Sequence, residues 1–312
     1  MAEDDPNFVE GMSPAIQTLE SVIAEIAPTD IPVLLVGESG TGKELFARRV
    51  HRLSAHREAP LSRISCASAN PKTFSGELGL KPNGRYDAAG NAGGTVFLDE
   101  ISELDAACQR DLLYALPDGN AGGQRGLLTS RVVSTTSRNL EEEVRAGKFR
   151  SELNYRINGV CLRLPPLRER KEDIPLLVEV FLTKHAAQLG RPRPALSPRT
   201  LQVLLDYAWP GNIRELENVV KKIVALGDEE LATIDLMAAA RESRKAAVIA
   251  RYSYSLKAAA RAASRDAERE LILKALARTR WNRKRAAQEL QISYKSLLYK
   301  LKQIGFEDAG AN

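Results

Sequence analysis

An apolar run followed at once by a glycine-rich loop is the feature that most constrains the fold of this chain. Residues 31 to 36 read IPVLLV, which is typical of a strand covered on both faces. The run leads into GESGTGKE, residues 37 to 44, and then into LFARRVHRLS, which has the pattern of a helix. Strand, glycine loop and helix in this order predict a phosphate-binding loop, because glycines let backbone N–H groups close around an anion that the helix N-terminus also attracts.

This loop supplies the first half of a predicted nucleotide site. Lys43 is placed to reach the β- and γ-phosphates of a nucleoside triphosphate. Glu44 stands where such loops usually carry Ser or Thr, so this position offers no hydroxyl ligand for Mg²⁺. A chance glycine turn is the alternative, and the flanking strand and helix disfavour it. The predicted nucleotide-binding residues of the loop are Gly37, Glu38, Ser39, Gly40, Thr41, Gly42, Lys43 and Glu44.

An acidic pair after a second apolar run supplies the other half. TVFL, residues 95 to 98, reads as another buried strand, and Asp99 and Glu100 follow it. We predict that Asp99 holds Mg²⁺ and that Glu100 orients and deprotonates the water that attacks the γ-phosphate. The alternative is an acidic pair that only caps the next helix. Combined with the phosphate loop upstream, the pair favours a site for ATP and Mg²⁺.

Charge divides the chain into two parts. Residues 241 to 305 carry 17 Lys and Arg against 5 Asp and Glu, whereas residues 1 to 240 carry 28 against 33. A basic module on a slightly acidic body indicates a polyanionic partner, with nucleic acid the first candidate and an anionic membrane surface the second. Within the basic part, NRKRAAQEL, a break at QIS and then YKSLLYKLKQIGF outline a helix-turn-helix, which favours double-stranded DNA.

Composition narrows the remaining classes. A length of 312 residues predicts two or three domains, and 44% hydrophobic with 27% charged residues is typical of a soluble globular protein. Three scattered cysteines, Cys66, Cys108 and Cys161, disfavour a disulfide framework or a metal cluster. The acidic N-terminus lacks a secretion signal and no apolar run approaches membrane-spanning length, so we expect a cytoplasmic protein with no membrane partner.

Six motifs follow one another along the chain: MSPAIQTLE, GESGTGKELFARRVH, GGTVFLDEISEL, GKFRSELNYRI, LPPLRERKEDIPLL and YAWPGNIRELENVV. In these motifs and their order the sequence resembles the sigma-54-dependent transcription activators of bacteria, also called enhancer-binding proteins. The C-terminal WNRKRAAQELQISYKSLLYKLKQIGF is similar to the Fis-type DNA-binding domain that commonly closes the same family. The resemblance implies an α/β fold, namely an AAA+ P-loop domain with a parallel central sheet and a helical lid, followed by an all-α helix-turn-helix domain.

Four segments are expected on this basis. The AAA+ nucleotide-binding core spans residues 1–165 and its helical lid spans residues 166–235. An Ala- and Arg-rich linker at residues 236–266 leads to the Fis-type domain at residues 267–312. The sequence before residue 12 carries no receiver or sensor domain, so we expect the signal to come from a partner, the nucleotide or the expression level.

The resemblance also implies roles for polar residues outside the loop. Arg150 and Arg156 correspond to arginines that reach the γ-phosphate held by a neighbouring subunit, which implies a ring, expected to be a hexamer. The alternative is an exposed helix on which arginine pairs with Glu152. Arg214 corresponds to the lid arginine that senses nucleotide. Ser137 stands at the end of a strand where the family has Asn, and it completes the predicted nucleotide site.

In the Fis-type domain the resemblance implies a dimer on an inverted-repeat DNA site. We expect Ser293 to cap the recognition helix, and Leu297, Leu298 and Leu301 to pack inward. A solvated helix face is the alternative for the charged positions. The residues predicted to contact DNA are Arg283, Lys284, Arg285, Ser293, Tyr294, Lys295, Ser296, Tyr299 and Lys300.

Two departures from the family pattern limit the predicted function. The interval FSGELGLKPNGRYDAAGNAGG, residues 74–94, contains no GAFTGA, the signature of the loop that contacts sigma-54 in the family. Ser65 replaces an Asn that holds the catalytic glutamate in the family. We therefore predict an ATP-binding, sequence-specific DNA-binding regulator with slow hydrolysis, which acts through RNA polymerase or a loop-bearing family member. The alternative is an ATP-hydrolysing activator that remodels RNA polymerase through another surface.

Overall fold

A computed structural model gives the fold of two units, residues 1–240 and residues 241–312. The residues that it describes are 9–78, 94–117, 128, 130–238, 270–279 and 282–303. Most of the interval that lacks GAFTGA, and most of the predicted linker, lie outside the described residues. Among the residues that the structure describes, no helix combines the length and the apolar character needed to cross a membrane.

A parallel sheet forms the centre of the first unit. Its strands are β1 (Val33–Val36), β2 (Leu61–Ser65), β3 (Thr95–Asp99), β4 (Arg131–Thr136) and β5 (Val160–Arg163). They lie in the order β2-β3-β4-β1-β5, and every neighbouring pair is parallel. Since the carboxyl ends of parallel strands share one edge, the loops that follow β1, β3 and β4 meet there. The predicted parallel α/β sheet is confirmed.

Helices cover both faces of this sheet because its central strands are apolar on both sides. The covering helices are α1 (Pro14–Ile26), α2 (Lys43–Arg52), α3 (Phe74–Glu77), α4 (Ala106–Ala115), α5 (Leu140–Arg145) and α6 (Ser151–Ile157). Successive strand residues face opposite sides: Leu35 and Phe97 pack with α1 and α2, whereas Leu34 and Leu98 pack with α3, α4 and α6. The two cores hold the edge of the sheet rigid beneath the predicted site.

A helical lid follows the sheet domain. It comprises α7 (Ile174–Leu189), α8 (Pro198–Asp206), α9 (Asn212–Leu226) and α10, residues 229–238. Trp209 is fully buried at its centre, where the indole Nε1 donates to the carbonyl of Leu204 at 2.8 Å. Gly190 and Gly227 adopt positive φ angles where α7 and α9 end, which is the usual helix-terminating use of glycine. The predicted helical lid is confirmed.

Three helices are described in the second unit, within residues 270–279 and 282–303. It contains α11 at residues 270–278, α12 (Arg283–Glu289) and α13 (Tyr294–Gln303). Its core is built from Ile272, Leu276, Ala286, Leu297 and Leu301. Because α12 and α13 are separated only by a short turn and share this core, the predicted helix-turn-helix is confirmed.

Candidate nucleotide site and DNA-binding surface

The loop between β1 and α2 folds as a cradle for an anion. Gly40 and Gly42 have φ angles of +80° and +98°, which glycine adopts without the steric cost that a Cβ would bring. The side chain of Lys43 is almost buried, and its Nζ donates to the carbonyl oxygen of Gly37 at 2.8 Å. The lysine therefore spans the mouth of the loop, where the sequence predicted that it would meet phosphate.

Glu100 meets Lys43 at this mouth. Its Oε1 lies 2.9 Å from Lys43 Nζ, and its Oε2 accepts hydrogen bonds from the Ser137 backbone N–H at 2.7 Å and hydroxyl at 2.9 Å. Glu100 itself has a φ of +55° and its N–H donates to Thr135 Oγ1, which turns the carboxylate away from the strand. The three predicted residues Lys43, Glu100 and Ser137 are thus brought together, while Ser65 makes no described contact with the glutamate.

Asp99 lies beside Glu100, and hydrogen-bond donors engage both of its carboxylate oxygens. Its Oδ1 accepts from Thr135 Oγ1 at 2.9 Å, and its Oδ2 accepts from Arg63 Nη2 at 2.7 Å. Glu44 is paired with Arg63 at 3.3 Å and with Arg48 at 2.8 Å. Mg²⁺ needs oxygen ligands at about 2.0–2.1 Å in near-octahedral array. Holding Mg²⁺ would require Asp99 to give up its contact with Arg63, so its role as a metal ligand stays a prediction.

The described ranges contain no cluster of metal-binding side chains. No group of three or more His, Cys, Asp or Glu side chains there is arranged to hold a metal ion. Burial raises the pKa of the Cys66 thiol, whose neighbours include the Asp99 carboxylate, so this cysteine stays protonated and is a poor ligand.

The lid is docked directly onto the phosphate loop. The backbone N–H of Ile213 donates to the carbonyl oxygen of Gly40 at 2.9 Å. Asn212, buried and with a φ of +53°, donates from Nδ2 to the carbonyl oxygen of Ser39 at 3.0 Å and accepts from the N–H of Leu167 at 2.8 Å. Arg214 donates to Ser39 Oγ at 3.1 Å, so the predicted lid arginine does reach the loop.

Glu38 forms a second bond between the loop and the lid region. Its carboxylate accepts both nitrogens of the Arg168 guanidinium, at 2.6 and 2.9 Å, and the amide of Asn212 at 3.2 Å. The hydrogen bonds from Arg168, and after them the one from Asn212, lower the pKa of Glu38. The carboxylate is therefore charged over the whole neutral range.

A cavity of about 440 Å³ opens beside the loop, a size that suits a nucleobase and its sugar. One wall is Val9, Gly11 and Ile16, which sequence reasoning did not assign to the site. The opposite wall comes from the lid and includes Leu177, Phe181 and Ile213. Two buried residues, Arg170 and Asp173, join the lid side of the cavity to the rest of the domain. Arg170 donates to the carbonyl oxygen of Thr41 at 2.6 Å. Asp173 accepts from the backbone N–H of Ser13 at 2.7 Å and from its hydroxyl at 2.9 Å. The sequence signal that could have identified Arg170 and Asp173 is the polar run RERKED at the start of the lid.

The two arginines predicted to act on a neighbouring subunit lie on another part of this domain. Arg156 on α6 donates to the carbonyl oxygens of Leu113 and Leu116 at 3.0 and 3.1 Å, and it pairs with Glu152 at 2.9 Å. It therefore caps the C-terminal end of α4, and the pairing with Glu152 that was the alternative is present. Arg150 precedes α6 and is exposed. Their action on a neighbour stays a prediction.

The second unit presents the predicted DNA-contacting residues around one helix pair. Ser293 caps α13 by accepting from the Ser296 N–H at 3.1 Å, as expected. Tyr294 and Tyr299 are 43% and 66% exposed on α13, which leaves both rings available to a partner. Leu297 and Leu301 are buried, but Leu298 is 36% exposed, so the expectation that all three leucines pack inward was wrong for Leu298. The predicted basic residues Arg283, Lys284 and Arg285 form the first turn of α12.

Comparison with known proteins places this architecture in a family. The fold and site define a P-loop AAA+ domain with its helical lid, joined to a helix-turn-helix domain. The family model "Sigma-54 interaction domain" matches residues 9–163, "AAA+ ATPase lid domain" matches residues 168–251, and "Bacterial regulatory protein, Fis family" matches residues 264–303. The chain belongs to the sigma-54-dependent transcription activator family.

Individual relatives agree over nearly the whole chain. The transcriptional regulatory protein ZraR of Salmonella typhimurium is 38% identical over 305 residues, covering 93% of this chain and 67% of that protein. The response regulator protein PilR of Pseudomonas aeruginosa is 36% identical over 322 residues, covering 98% and 72%. The crystal structure of NtrX from Brucella abortus in complex with ATP is similar with a TM-score of 0.64 and 29% identity, over 96% of this chain and 69% of that one.

Proposed function

We propose that this chain is an ATP-binding, sequence-specific DNA-binding regulator of transcription with slow ATP hydrolysis. The observation that carries this proposal is the meeting of Lys43, Glu100 and Ser137 at the mouth of the glycine loop. The cavity beside the loop would take the base and sugar, while the backbone N–H groups of the loop and the start of α2 would take the phosphates. The similar NtrX protein was crystallised in complex with ATP, which supports the same ligand here.

The contacts of the site suggest how binding and hydrolysis are linked. Lys43 is paired with Glu100, and a triphosphate in the loop would take Lys43 as its own partner. Glu100 would then be held by Ser137 alone, with one carboxylate oxygen turned toward the γ-phosphate. In that position it would accept a proton from the attacking water. We expect slow turnover because Ser65, which stands where the family has the Asn that holds the catalytic glutamate, makes no described contact with Glu100 and has no amide donor.

Assembly and DNA binding complete the proposal. Arg150 and Arg156 would approach the γ-phosphate of an adjacent subunit in a hexameric ring, which requires Arg156 to exchange its contacts with α4. The Fis-type domain would dimerise on an inverted repeat of double-stranded DNA, so that the protein acts in the cytoplasm, where the chromosome is. Basic residues on α12 would meet phosphates and α13 would face the major groove.

The absent GAFTGA favours regulation without direct remodelling of the sigma-54 polymerase. RNA polymerase or a loop-bearing member of the family would then be the protein partner. An open-complex assay with purified chain at a sigma-54 promoter tests this choice, and we expect no ATP-dependent opening. Efficient opening by this chain alone would instead support the alternative activator that works through another surface.

Nucleotide binding is tested separately with Lys43→Ala. We expect ATP affinity, measured by calorimetry on the full chain, to fall at least about 30-fold because the lysine supplies a charge-assisted contact to phosphate. Lys72→Ala removes an exposed lysine that is not part of the loop sequence and serves as the control. Unchanged affinity for Lys43→Ala would refute the phosphate-loop assignment.

A separate measurement tests assembly. A rise of ATP turnover per subunit with protein concentration would support arginines that act between subunits.

A further inference from the structure

Arg63 is the one charged residue of the edge strand β2. It lies in the middle of β2, where Ile64 packs into the core on one face and Leu61 packs on the other face with α1 and α2. Strand alternation places Arg63 on the same face as Leu61, beside α2. Register sets Arg63 opposite Phe97 and Ser65 opposite Asp99, so the arginine side chain runs along the sheet toward its carboxyl edge.

The guanidinium of Arg63 joins two carboxylates of the nucleotide site. Its Nη2 donates to Asp99 Oδ2 at 2.7 Å, and its Nη1 lies 3.3 Å from Glu44 Oε1. Asp99 ends β3 and Glu44 follows Lys43 at the start of α2, so one planar group connects both sides of the loop mouth. The hydrogen bond with Asp99 is the main reason that the pKa of Arg63 is raised.

These two positions are the ones from which a P-loop site ordinarily holds its divalent ion. The residue after the loop lysine and the acidic residue at the strand end supply the protein ligands for Mg²⁺ in such sites. In this chain the first is Glu44 and the second is Asp99, and the Arg63 guanidinium lies between them. A guanidinium that donates to Asp99 Oδ2 competes with a metal for that oxygen, and its positive charge repels a second cation nearby.

We propose that Arg63 takes the place of Mg²⁺ in this site, so that the chain binds nucleoside triphosphate with an affinity that depends little on divalent ions. The Arg63 side chain is 48% exposed, so it is accessible to a ligand as well as to the two carboxylates. It therefore neutralises Asp99 and Glu44 and also supplies positive charge to the polyphosphate. Arginine suits both tasks because its donors form a rigid planar fork that matches carboxylate and phosphate oxygens.

This inference rests on the proposed binding of ATP. One set of titrations tests ATP binding and its independence of Mg²⁺ as separate results. Affinity for a non-hydrolysable ATP analogue is measured by calorimetry on the full chain, once in excess MgCl₂ and once in excess EDTA. The proteins are the wild type, Arg63→Ala and Arg57→Ala. The last variant is a matched control, because Arg57 is an exposed arginine of the same domain that pairs with Glu58 outside the site.

The expected result is a dependence on Mg²⁺ that appears only when Arg63 is removed. Wild type and Arg57→Ala should bind with dissociation constants that differ by less than about threefold between the two buffers. Arg63→Ala, which releases Asp99 and Glu44 as metal ligands, should bind at least about tenfold more tightly with Mg²⁺ than with EDTA.

Three results would overturn the inference. Wild-type binding that weakens about tenfold or more in EDTA would show that Mg²⁺ is required, while leaving the proposed ATP binding intact. Equal insensitivity of wild type and Arg63→Ala would show that Arg63 is not the cause. Absence of binding in both buffers would remove the inference together with the proposed function.

Discussion

Replacing Gly40 by Ala tests whether the phosphate loop and the lid are packed as closely as the contacts indicate. Gly40 has a φ of +80°, and a Cβ at this position would lie 2.3 Å from the carbonyl oxygen of Gly211 and 3.2 Å from the Cβ of Arg214. Neither atom is the end of a flexible side chain, so the clash is relieved only if α9 moves away from the loop. We therefore expect Gly40→Ala to weaken the attachment of the lid.

The magnitude follows from three contributions. A left-handed φ costs an L residue about 1–2 kcal/mol. Forced overpacking costs about 1–3 kcal/mol, and loss of the hydrogen bond from Ile213 to Gly40 costs about 0.5–1.5 kcal/mol. Gly147→Ala isolates the first contribution, because Gly147 has a φ of +69° and its Cβ would meet nothing within 4 Å. The free energy of unfolding should therefore fall by about 1.5–4.5 kcal/mol more for Gly40→Ala than for Gly147→Ala.

Tryptophan fluorescence during urea unfolding measures this difference. Trp209 is fully buried in the lid core, and the chain has only one other tryptophan, Trp281, so a Trp281→Phe background makes the signal specific to the lid. Gly→Ala also restricts the unfolded chain, but by the same amount at both positions, so this effect cancels in the comparison. Equal shifts of the unfolding midpoint in the two variants would refute the close packing of Gly40 against the lid.

Three further predictions concern catalysis, DNA and pH. Glu100→Gln keeps a side chain of the same shape but cannot accept a proton, so the rate of phosphate release from ATP should fall about 10²–10⁴-fold while a non-hydrolysable ATP analogue still binds. Undiminished ATP turnover would exclude Glu100 as the base. Replacing Lys295 and Lys300 together by Ala should weaken DNA binding and flatten its dependence on salt by about two counterions, as measured by fluorescence anisotropy across a salt series; an unchanged slope would place both lysines away from phosphate. Hydrogen bonds from Arg168 and from Asn212 lower the pKa of Glu38 in the folded state, so its ion pair stabilises the lid above about pH 4.5 and is lost as the pH falls through the folded pKa. The urea midpoint of the wild type should therefore drop more on acidification than the midpoint of Glu38→Gln. Parallel pH curves for the two proteins would contradict the pairing.

The fold was predictable from the sequence because its signals are local. Continuous apolar runs predict the buried strands, and glycines that need positive φ mark the loop after β1. The meeting of Lys43 with Glu100 follows from the shared carboxyl edge of a parallel sheet, once both strands are recognised. The family motifs then add the lid, and they identify the helix-turn-helix that local patterns outline as a Fis-type domain.

Side-chain contacts between distant segments were not predictable in the same way. Arg63 in β2 reads as an ordinary polar residue of an edge strand, and only the register with β3 shows that it reaches Asp99. Arg156 matches a family pattern for contact with a neighbour, yet in this chain it also satisfies carbonyl oxygens at the end of α4. Leu298 fits an apolar stripe, but its place on α13 turns it to solvent. Each case depends on tertiary geometry that a single sequence does not contain.

The attachment of the lid to the loop determines what a bound nucleotide can change. The bonds from Ile213 to Gly40 and from Asn212 to Ser39 both end on backbone carbonyls of the loop, so the loop cannot shift by rotating side chains alone. Asn212 is also bonded to Leu167 at the entrance to the lid, which ties α9 to the preceding turn. A phosphate that rearranges the loop must therefore move the start of α9 with it or break buried hydrogen bonds. Since breaking them would leave buried polar groups unpaired, we expect the lid to move as a rigid body with the loop when a nucleotide binds.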